Sequence, residues 1–293
     1  MRKNPPVKLL DLFALTTSFF KNNSILYLPF IIFFAVEFFC LILTYLSNYN
    51  PLLLVFGPIV KTFWGEQFLH FPFNFVLLPK IASFLRILLS ISIGPILSGI
   101  ATLITINIYY KKSIKLEGVF LKVLRKYFTL FFILLILNVT LYFAFKLIGL
   151  VLFKYFSKGN QQLFFIPLRY WSYGPIPVLI NFMIAVFFQA AFIFAIPFIM
   201  LDDEKPIKAI IRSFALYFKY FKLTSVLVIL LMLIYLPILI LNMKTMFLIE
   251  NIFPEFIMIV AILGSILSSL VIDPLLTVAS TLLFIKTKEI EQK

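Results

Sequence analysis

The sequence contains only one cysteine, Cys40, and one histidine, His70. A single cysteine excludes an intrachain disulfide and a cysteine-based metal site. With one residue of each kind, a metal-dependent hydrolase or a Cys/His nucleophile has almost no side chains from which to be built. Glu66 and His70 have the i, i+4 spacing of ligands on a helix, but two ligands are too few for a metal. The phosphate-binding motif G-x-x-x-x-G-K-S/T is also absent. We therefore expect no enzymatic activity, no metal and no cofactor.

Charged residues are scarce, at 13% of the chain against about 25% in soluble proteins, and 62% of the residues are hydrophobic. Six continuous apolar runs are long enough to cross roughly 30 Å of membrane hydrocarbon. Because these runs do not alternate with polar residues, they predict helices and not the strands of a barrel. The fold class predicted is all-α, a polytopic membrane protein with six transmembrane helices near residues 25–46, 81–110, 127–153, 178–201, 223–243 and 256–285.

Acidic residues are few, 12 against 26 Lys and Arg, which gives a formal net charge of +14. Most of the basic residues lie at the two termini and in the connections between spans 2 and 3 and between spans 4 and 5. Because positive residues accumulate on the cytoplasmic side, we predict a multi-pass protein of the cell membrane with cytoplasmic N- and C-termini. The same charge attracts anionic phospholipids, so lipid is the expected partner and nucleic acid is not.

Three short basic stretches resemble one another, and each runs directly into a long apolar span; they cover residues 5–21, 112–126 and 206–222. Phe13-Ala14-Leu15 aligns with Phe214-Ala215-Leu216, and Lys112-Ser113-Ile114-Lys115 aligns with Lys205-Pro206-Ile207-Lys208, each pair at a constant offset. Self-similarity of this kind predicts a repeat architecture. The predicted repeats are three hairpin units within a single membrane domain, roughly 5–110, 112–201 and 206–286.

Each unit is predicted to contain a basic amphipathic helix, a straight span and a kinked span. In the third stretch, apolar residues between Ile207 and Phe218 share one helical face. This pattern is typical of a helix lying in the headgroup plane, although a span extended by one turn is the alternative. The kinks are expected at Pro95 and Pro274, near the middle of two long spans. The basic residues predicted to face lipid are Lys8, Lys21, Lys115, Lys122, Lys208, Arg212 and Lys219.

A layer of polar residues is predicted inside the membrane, about 20 Å or slightly less from the cytoplasmic surface at 1.5 Å rise per residue. Its members come from four different spans and are Glu37, Asn138, Gln189 and Asp273. Such a layer predicts either a polar binding site or interhelical hydrogen bonds that fix helix register. Arg86 and Lys146 are also within spans; pairing with Glu37 is one interpretation, and snorkelling to the outer headgroups is the preferred one.

One segment carries a family resemblance. The run Ile196-Pro197-Phe198-Ile199-Met200-Leu201-Asp202-Asp203-Glu204, followed by Ala209-Ile210-Ile211-Arg212-Ser213-Phe214, resembles a bacterial six-span group. This group comprises the glycerophosphoryl diester phosphodiesterase membrane domain and related uncharacterised integral membrane proteins. In it, a proline-ended span, an acidic turn and an Ala-x-x-Arg-Ser helix precede span 5. The resemblance implies a membrane module without catalytic residues, because the phosphodiesterase chemistry of fused members belongs to a separate soluble domain.

These observations together predict a non-enzymatic integral membrane protein. Its basic interfacial helices are expected to bind anionic lipids, and its hairpins to handle lipid or to assist an envelope partner. The alternative is a transporter or permease subunit that uses the intramembrane polar layer together with a membrane or ATPase partner subunit.

Overall fold

The computed structural model describes residues 8–47, 49–157 and 175–291. These residues form a bundle of α-helices and contain no β-strand. The first seven helices are α1 (Leu9–Asn22), α2 (Leu28–Leu46), α3 (Leu52–Phe63), α4 (Asn74–Ser92), α5 (Gly94–Tyr109), α6 (Leu116–Arg125) and α7 (Tyr127–Ser157). The following helices are α8 (Pro175–Phe192), α9 (Ala195–Asp202), α10 (Pro206–Lys219), α11 (Phe221–Leu233), α12 (Leu236–Met243), α13 (Thr245–Asn251), α14 (Phe256–Ile266) and α15 (Asp273–Glu291). A π-helical segment, Leu267–Ile272, joins α14 to α15.

Five helical stretches in the described part of the chain are long and apolar enough to cross a membrane. They are Ser24–Leu46, Asn74–Ser92, Tyr127–Val151, Val178–Asp202 and Phe256–Ile290. A sixth is reached if α10 and α11 are counted together, although the chain bends by 98° between them. An all-helical protein with several candidate membrane spans is therefore confirmed.

The second candidate span differs from its prediction at both ends, because it covers Asn74–Ser92 and α5 is a separate, shorter apolar helix. Helix α4 begins at Asn74, seven residues before the predicted start at 81, because the charge of Lys80 interrupts the apolar run but not the helix. The preceding connection contains α3, a helix of 12 residues, which is too short to span a membrane.

Four spans are interrupted shortly before a proline. Pro95, Pro197 and Pro237 lie in the first turns of α5, α9 and α12, and Pro274 lies in the first turn of α15, which follows the π-helical segment. Proline lacks an N–H, and its ring clashes with the carbonyl four residues earlier, so the helical ladder is broken at these points. The interruptions expected at Pro95 and Pro274 are present. The prediction of a straight fifth span is wrong, because α11 and α12 are separated by a break.

The hydrophobic core lies at one end of the bundle, where α5, α9 and α15 end and α7 and α11 begin. We call this the basic end, because the three basic stretches lie there. Helix α15 packs along α5, α1 packs on α15, and α10 packs on α8 and α9. The opposite end has a small separate cluster formed by Phe75, Leu78, Leu248 and Ile257.

Each basic stretch contains a short helix of its own, which is followed by an apolar helix. These are α1 before α2, α6 before α7 and α10 before α11. Residues 5–7 of the first stretch, including Pro5, lie outside the described residues. The order of the helices is consistent with three units, and the repeat itself stays a prediction.

Candidate functional site

Arg86 of α4 lies between Glu37 of α2 and Asp273 at the start of α15. Its Nη1 donates to both carboxylate oxygens of Glu37, at 2.9 and 3.2 Å, and its Nη2 donates to Oδ2 of Asp273 at 3.0 Å. Nη1 also donates to the hydroxyl oxygens of Ser268 and Ser269. The Oγ of Ser269 in turn donates to Oε2 of Glu37 at 2.6 Å. We call these five residues the charged cluster.

The π-helical segment explains why residues 268, 269 and 273 all reach the arginine. In this segment the N–H of Asp273 donates to the carbonyl of Ser268, five residues earlier. Residues i and i+5 are therefore neighbours on one side of the helix. Pro274 favours this geometry, because it cannot donate to the ladder that an uninterrupted α-helix would need. π-Helical turns within α-helices are frequently found at functional sites.

The cluster lies at mid-span depth. Glu37 is near the middle of Ser24–Leu46, and Asp273 is at the middle of Phe256–Ile290. The Glu37 side chain is 7% exposed, and that of Asp273 is 42% exposed. With both carboxylates ionised, the two negative charges exceed the one positive charge. Removal of the arginine would leave uncompensated charges where water is scarce, which is costly.

The prediction that Arg86 snorkels to the outer headgroups is wrong, and the alternative of pairing with Glu37 is what the structure shows. A guanidinium has five donors in a planar fork, so two carboxylates within reach compensate its desolvation well. The sequence contained a signal for this site, namely one arginine and two carboxylates inside apolar runs. Lys146, for which snorkelling is also predicted, lies with its Nζ 5.1 Å from the ring centroid of Tyr142.

Tyr235 brings the fifth span to the cluster. It lies at the break between α11 and α12 and interacts electrostatically with Glu37, Arg86 and Asp273. Its hydroxyl is 3.4 Å from the position that a Cβ on Gly264 would occupy. Because Gly264 has no side chain, the broken fifth span can approach α14 closely.

Of the four residues in the predicted polar layer, Glu37 and Asp273 join the cluster and the other two lie elsewhere. The Nδ2 of Asn138 donates to the carbonyl of Leu134 in its own helix, at 2.8 Å. Gln189 lines a cavity of about 80 Å³ between α5, α7, α8, α9 and α15. The other polar side chains that line this cavity are Thr102, Thr277 and Ser280.

A second group of charges joins helix ends at the basic end. It consists of three acidic residues at the end of α9 and directly after it, with three basic partners, and its ion pairs are Lys288–Asp202, Lys126–Asp203 and Arg212–Glu204. We call this group the acidic clasp. The Nζ of Lys126 also donates to the carbonyl of Ile199 at 2.7 Å, which satisfies an unpaired carbonyl at the end of α9. The clasp therefore connects the junction of α6 and α7 with α9, α10 and α15.

Asp203 ends α9 in the left-handed conformation, with φ 55° and ψ 33°. Glycine and asparagine are the usual residues at such positions, and aspartate is tolerated because its short side chain can hydrogen-bond locally. The hydrogen bond and the positive charge of Lys126 hold the pKa of Asp203 below its ordinary value.

Ser213 of α10 occupies the break between α8 and α9. Its Oγ donates to the carbonyl of Ala191 at 2.6 Å and accepts from the N–H of Phe194 at 3.2 Å. Both backbone groups lie where the helical ladder is interrupted, so the hydroxyl replaces missing helical bonds. Next to it, the guanidinium of Arg212 lies 4.6 Å from the ring centroid of Phe198. The segment that carries the family resemblance therefore supplies residues both to the clasp and to the hydrogen bonds at this break.

The seven predicted lipid-facing basic residues are all exposed, namely Lys8, Lys21, Lys115, Lys122, Lys208, Arg212 and Lys219. Two of them also serve the clasp. Arg212 pairs with Glu204, and the Nζ of Lys208 lies 3.6 Å from the same carboxylate. Part of the positive charge on α10 is therefore compensated within the protein.

No protein-family model matches this chain, and no match was found among curated proteins or solved structures. Function is therefore inferred from the geometry of the chain itself.

Proposed function

We propose that this chain is a non-enzymatic integral membrane protein of the cell membrane that binds anionic phospholipids at its basic end and assists lipid handling or an envelope partner. In this proposal six spans form three hairpin units, each preceded by an interfacial helix, and both termini are cytoplasmic. Membership of the group around the glycerophosphoryl diester phosphodiesterase membrane domain belongs to the same proposal. The observation that carries the proposal is the surface of α10.

Helix α10 has three different faces. The face against the bundle is formed by buried residues, which are Ala209, Ser213, Leu216 and Tyr217. An apolar stripe faces away from the bundle, and Ile207, Ile211 and Phe218 on it are 70%, 63% and 60% exposed. With 3.6 residues per turn, Lys208, Arg212 and Lys219 fall between these two faces.

This arrangement suits a membrane surface. The exposed apolar stripe can enter the boundary between headgroups and acyl chains, by about 5–10 Å. The neighbouring lysines can then extend their charged ends to the phosphates. Because the chain bends by 98° between α10 and α11, α10 lies roughly in the membrane plane when α11 crosses the membrane.

Helix α6 has a similar surface. Val119 and Val123 are buried against the bundle, while Phe120 and Leu124 are exposed beside Lys122. Two of the three short helices therefore combine a docked face, an exposed apolar face and basic residues. This recurrence supports a shared role at the membrane surface.

An open groove of about 550 Å³ lies between α7 and α8. Its described lining is entirely apolar and includes Leu147, Ile180, Met183 and Phe187. Lipid acyl chains fit an apolar groove of this kind, so the groove supports the proposal that the protein contacts lipid tails. The headgroups would be contacted by the basic residues of α10 and α6.

The test is retention of phosphatidylglycerol over phosphatidylcholine, measured by native mass spectrometry of the purified protein. The first variant removes three lysines at the basic end and combines Lys115→Gln, Lys122→Gln and Lys219→Gln. At about 1 kcal/mol per lysine, it should weaken retention of the anionic lipid by roughly 100-fold. The residues of the acidic clasp are left intact, because their loss would also disturb the fold.

A matched control variant also removes three positive charges, but none of them at the basic end. It combines Lys61→Gln, Lys146→Gln and Lys244→Gln. This variant should retain the anionic lipid as the unmodified protein does. Equal loss in both variants would show that only net charge matters, and no loss in the first would refute lipid binding by the basic end.

The charged cluster favours a second candidate function, a transporter or permease subunit acting alone or with an ATPase partner. Ionisable residues at mid-span frequently mark ion pathways, and transporter sites commonly lie beside discontinuous helices. Both conditions hold here, since the interrupted fifth and sixth spans meet the cluster through Tyr235 and Asp273. If ion flux in proteoliposomes were unaffected by both Asp273→Asn and Glu37→Gln, this second candidate should be abandoned.

A further inference from the structure

We propose that the charged cluster is a proton-binding site that holds one proton at neutral pH, carried by Asp273. The proposal goes beyond lipid binding and does not depend on it. If the second candidate function, a transporter or permease subunit, holds, the proposal identifies the transported ion as a proton. Only this use of the site in transport rests on that candidate function.

The first step is the charge balance at mid-span. The groups facing Asp273 are Glu37 from α2, Arg86 from α4 and the neutral phenol of Tyr235 from the fifth span. Among the described residues, Arg86 is the cation acting on Asp273. One guanidinium neutralises one carboxylate, and a second ionised carboxylate at this depth costs roughly 2.5–3.5 kcal/mol on insertion scales. One proton makes the cluster neutral.

The second step is the choice between the two carboxylates. Glu37 accepts from Arg86 through both oxygens and from Ser269, and its side chain is buried. Asp273 accepts one hydrogen bond in the described structure, from Arg86 to Oδ2. Donors stabilise the ionised form of a carboxyl, and Asp273 has fewer of them than Glu37, so the proton is assigned to Asp273.

The step itself is a simple addition. A proton from solvent binds Oδ1 of Asp273, Oδ2 continues to accept from Arg86, and the charge of the cluster changes from −1 to 0. The Asp273 side chain is 42% exposed at the surface of the bundle, so a proton donor can reach it from outside the helices more readily than it can reach the buried Glu37. A sodium ion would supply the same charge, but it would have to lie beside the guanidinium and is repelled by it.

Infrared spectroscopy of the protein in lipid nanodiscs tests the proposal, because a protonated carboxyl has a C=O stretching band that a carboxylate lacks. At pH 7 the unmodified protein should show this band. Biosynthetic 13C labelling of aspartate carboxyls should shift the band, and labelling of glutamate carboxyls should not. A band that shifts only with glutamate labelling would place the proton on Glu37 and overturn the assignment.

Variants test the charge balance separately. Asp273→Asn and Glu37→Gln each leave one carboxylate with Arg86, so both should lose the band. Arg86→Gln should double it, because two carboxyls are then protonated. If Arg86→Gln fails to fold, the first two variants still decide the matter, since each keeps an ion pair.

Two results would overturn the proposal: no band at pH 7, or a band present only when sodium is absent. The readout is independent of lipid retention and of transport. A band without proton flux in proteoliposomes would leave the proton site standing and remove the permease alternative, whereas loss of lipid retention would affect only the basic end.

Discussion

The two ends of the bundle are built from similarly apolar helices but are packed differently. At the basic end, residues 101–106 of α5 and 282–285 of α15 are continuously buried. At the opposite end, α12 and α13 bury one residue each, Ile238 and Leu248. The same contrast separates whole spans, because Val178–Asp202 and Tyr127–Val151 have mean hydropathies of 2.4 and 2.3, yet 56% and 17% of their most apolar windows are buried.

The difference shows what hydropathy does and does not determine. An apolar side chain leaves water equally well for protein or for lipid, so hydropathy alone does not predict which helices pack together. In this protein the basic end is held by close packing and the acidic clasp. The opposite half has little core, and polar contacts of the charged cluster join α2, α4 and the sixth span there.

The largest effect is expected from Arg86→Gln. Removal of one partner from a buried charge group typically costs about 3–5 kcal/mol, because the carboxylate left behind must either stay uncompensated or take up a proton. The midpoint of unfolding of the detergent-solubilised protein measures this loss. Lys146→Gln is the control, since Lys146 is an exposed cation within a span. Unchanged stability of Arg86→Gln would show that apolar packing alone holds the opposite half.

Substitutions of glycine compare packing in the two halves. A Cβ on Gly99 would lie 3.0 Å from both Val123 and Leu130, whereas one on Gly264 would meet Ile238 at 3.0 Å and the Tyr235 hydroxyl at 3.4 Å. Overpacking costs about 1–3 kcal/mol, and Gly99→Ala should cost more than Gly264→Ala because two buried side chains must move.

Gly118→Ala is the control for these two substitutions. No heavy atom lies within 4 Å of its added Cβ, and Gly118 is inside α6. We therefore expect Gly118→Ala to stabilise the protein by up to about 1 kcal/mol, because alanine favours helix. The reverse order of Gly99→Ala and Gly264→Ala would contradict the idea that the basic end is the tightly packed one.

Ser213→Ala should have a smaller effect, about 1 kcal/mol, since membrane hydrogen bonds contribute modestly and a buried N–H is left without its acceptor. Thermal unfolding and hydrogen exchange at Phe194 would measure it, and exchange there should become faster. Ser83→Ala is a suitable control, because the Ser83 hydroxyl donates only within its own exposed helix. Equal effects of the two changes would mean that the break between α8 and α9 does not need Ser213.

The helical class and several spans could be predicted, because long apolar runs with flanking charge obey strong constraints in a membrane. Breaks at Pro95 and Pro274 follow from the missing N–H of proline, whereas Pro237 lies in a continuous apolar run that gives no sign of the break before it. The pairing of Glu37 and Asp273 through Arg86 was not predicted, since it depends on which helices are neighbours. Depth alone placed Asn138 and Gln189 in the same layer, although their side chains point to Leu134 and to a separate cavity.

The smallest effect concerns the pH dependence of the acidic clasp. Lys126 lowers the pKa of Asp203 from an ordinary value of 3.8, so the pair stabilises the fold above that pH. The contribution is lost as pH falls through the lowered pKa, since the proton then removes the charge. Because Asp203 is exposed, the effect should be below about 1 kcal/mol. The measurement is the difference in unfolding temperature between the unmodified protein and Asp203→Asn from neutral to acidic pH.

Asparagine accepts the left-handed conformation of residue 203, so Asp203→Asn removes the charge without adding backbone strain. The temperature difference should therefore be constant at neutral pH and vanish in strong acid. Glu66, whose pKa is lowered by Lys61, is an exposed carboxylate at the opposite end. Glu66→Gln should give a smaller pH-dependent difference, because both side chains of that pair are exposed and the two residues are close in sequence, so the unfolded chain keeps part of the interaction. If both variants behaved alike, the ion pair of Asp203 would add nothing to the basic end, and packing alone would account for its stability.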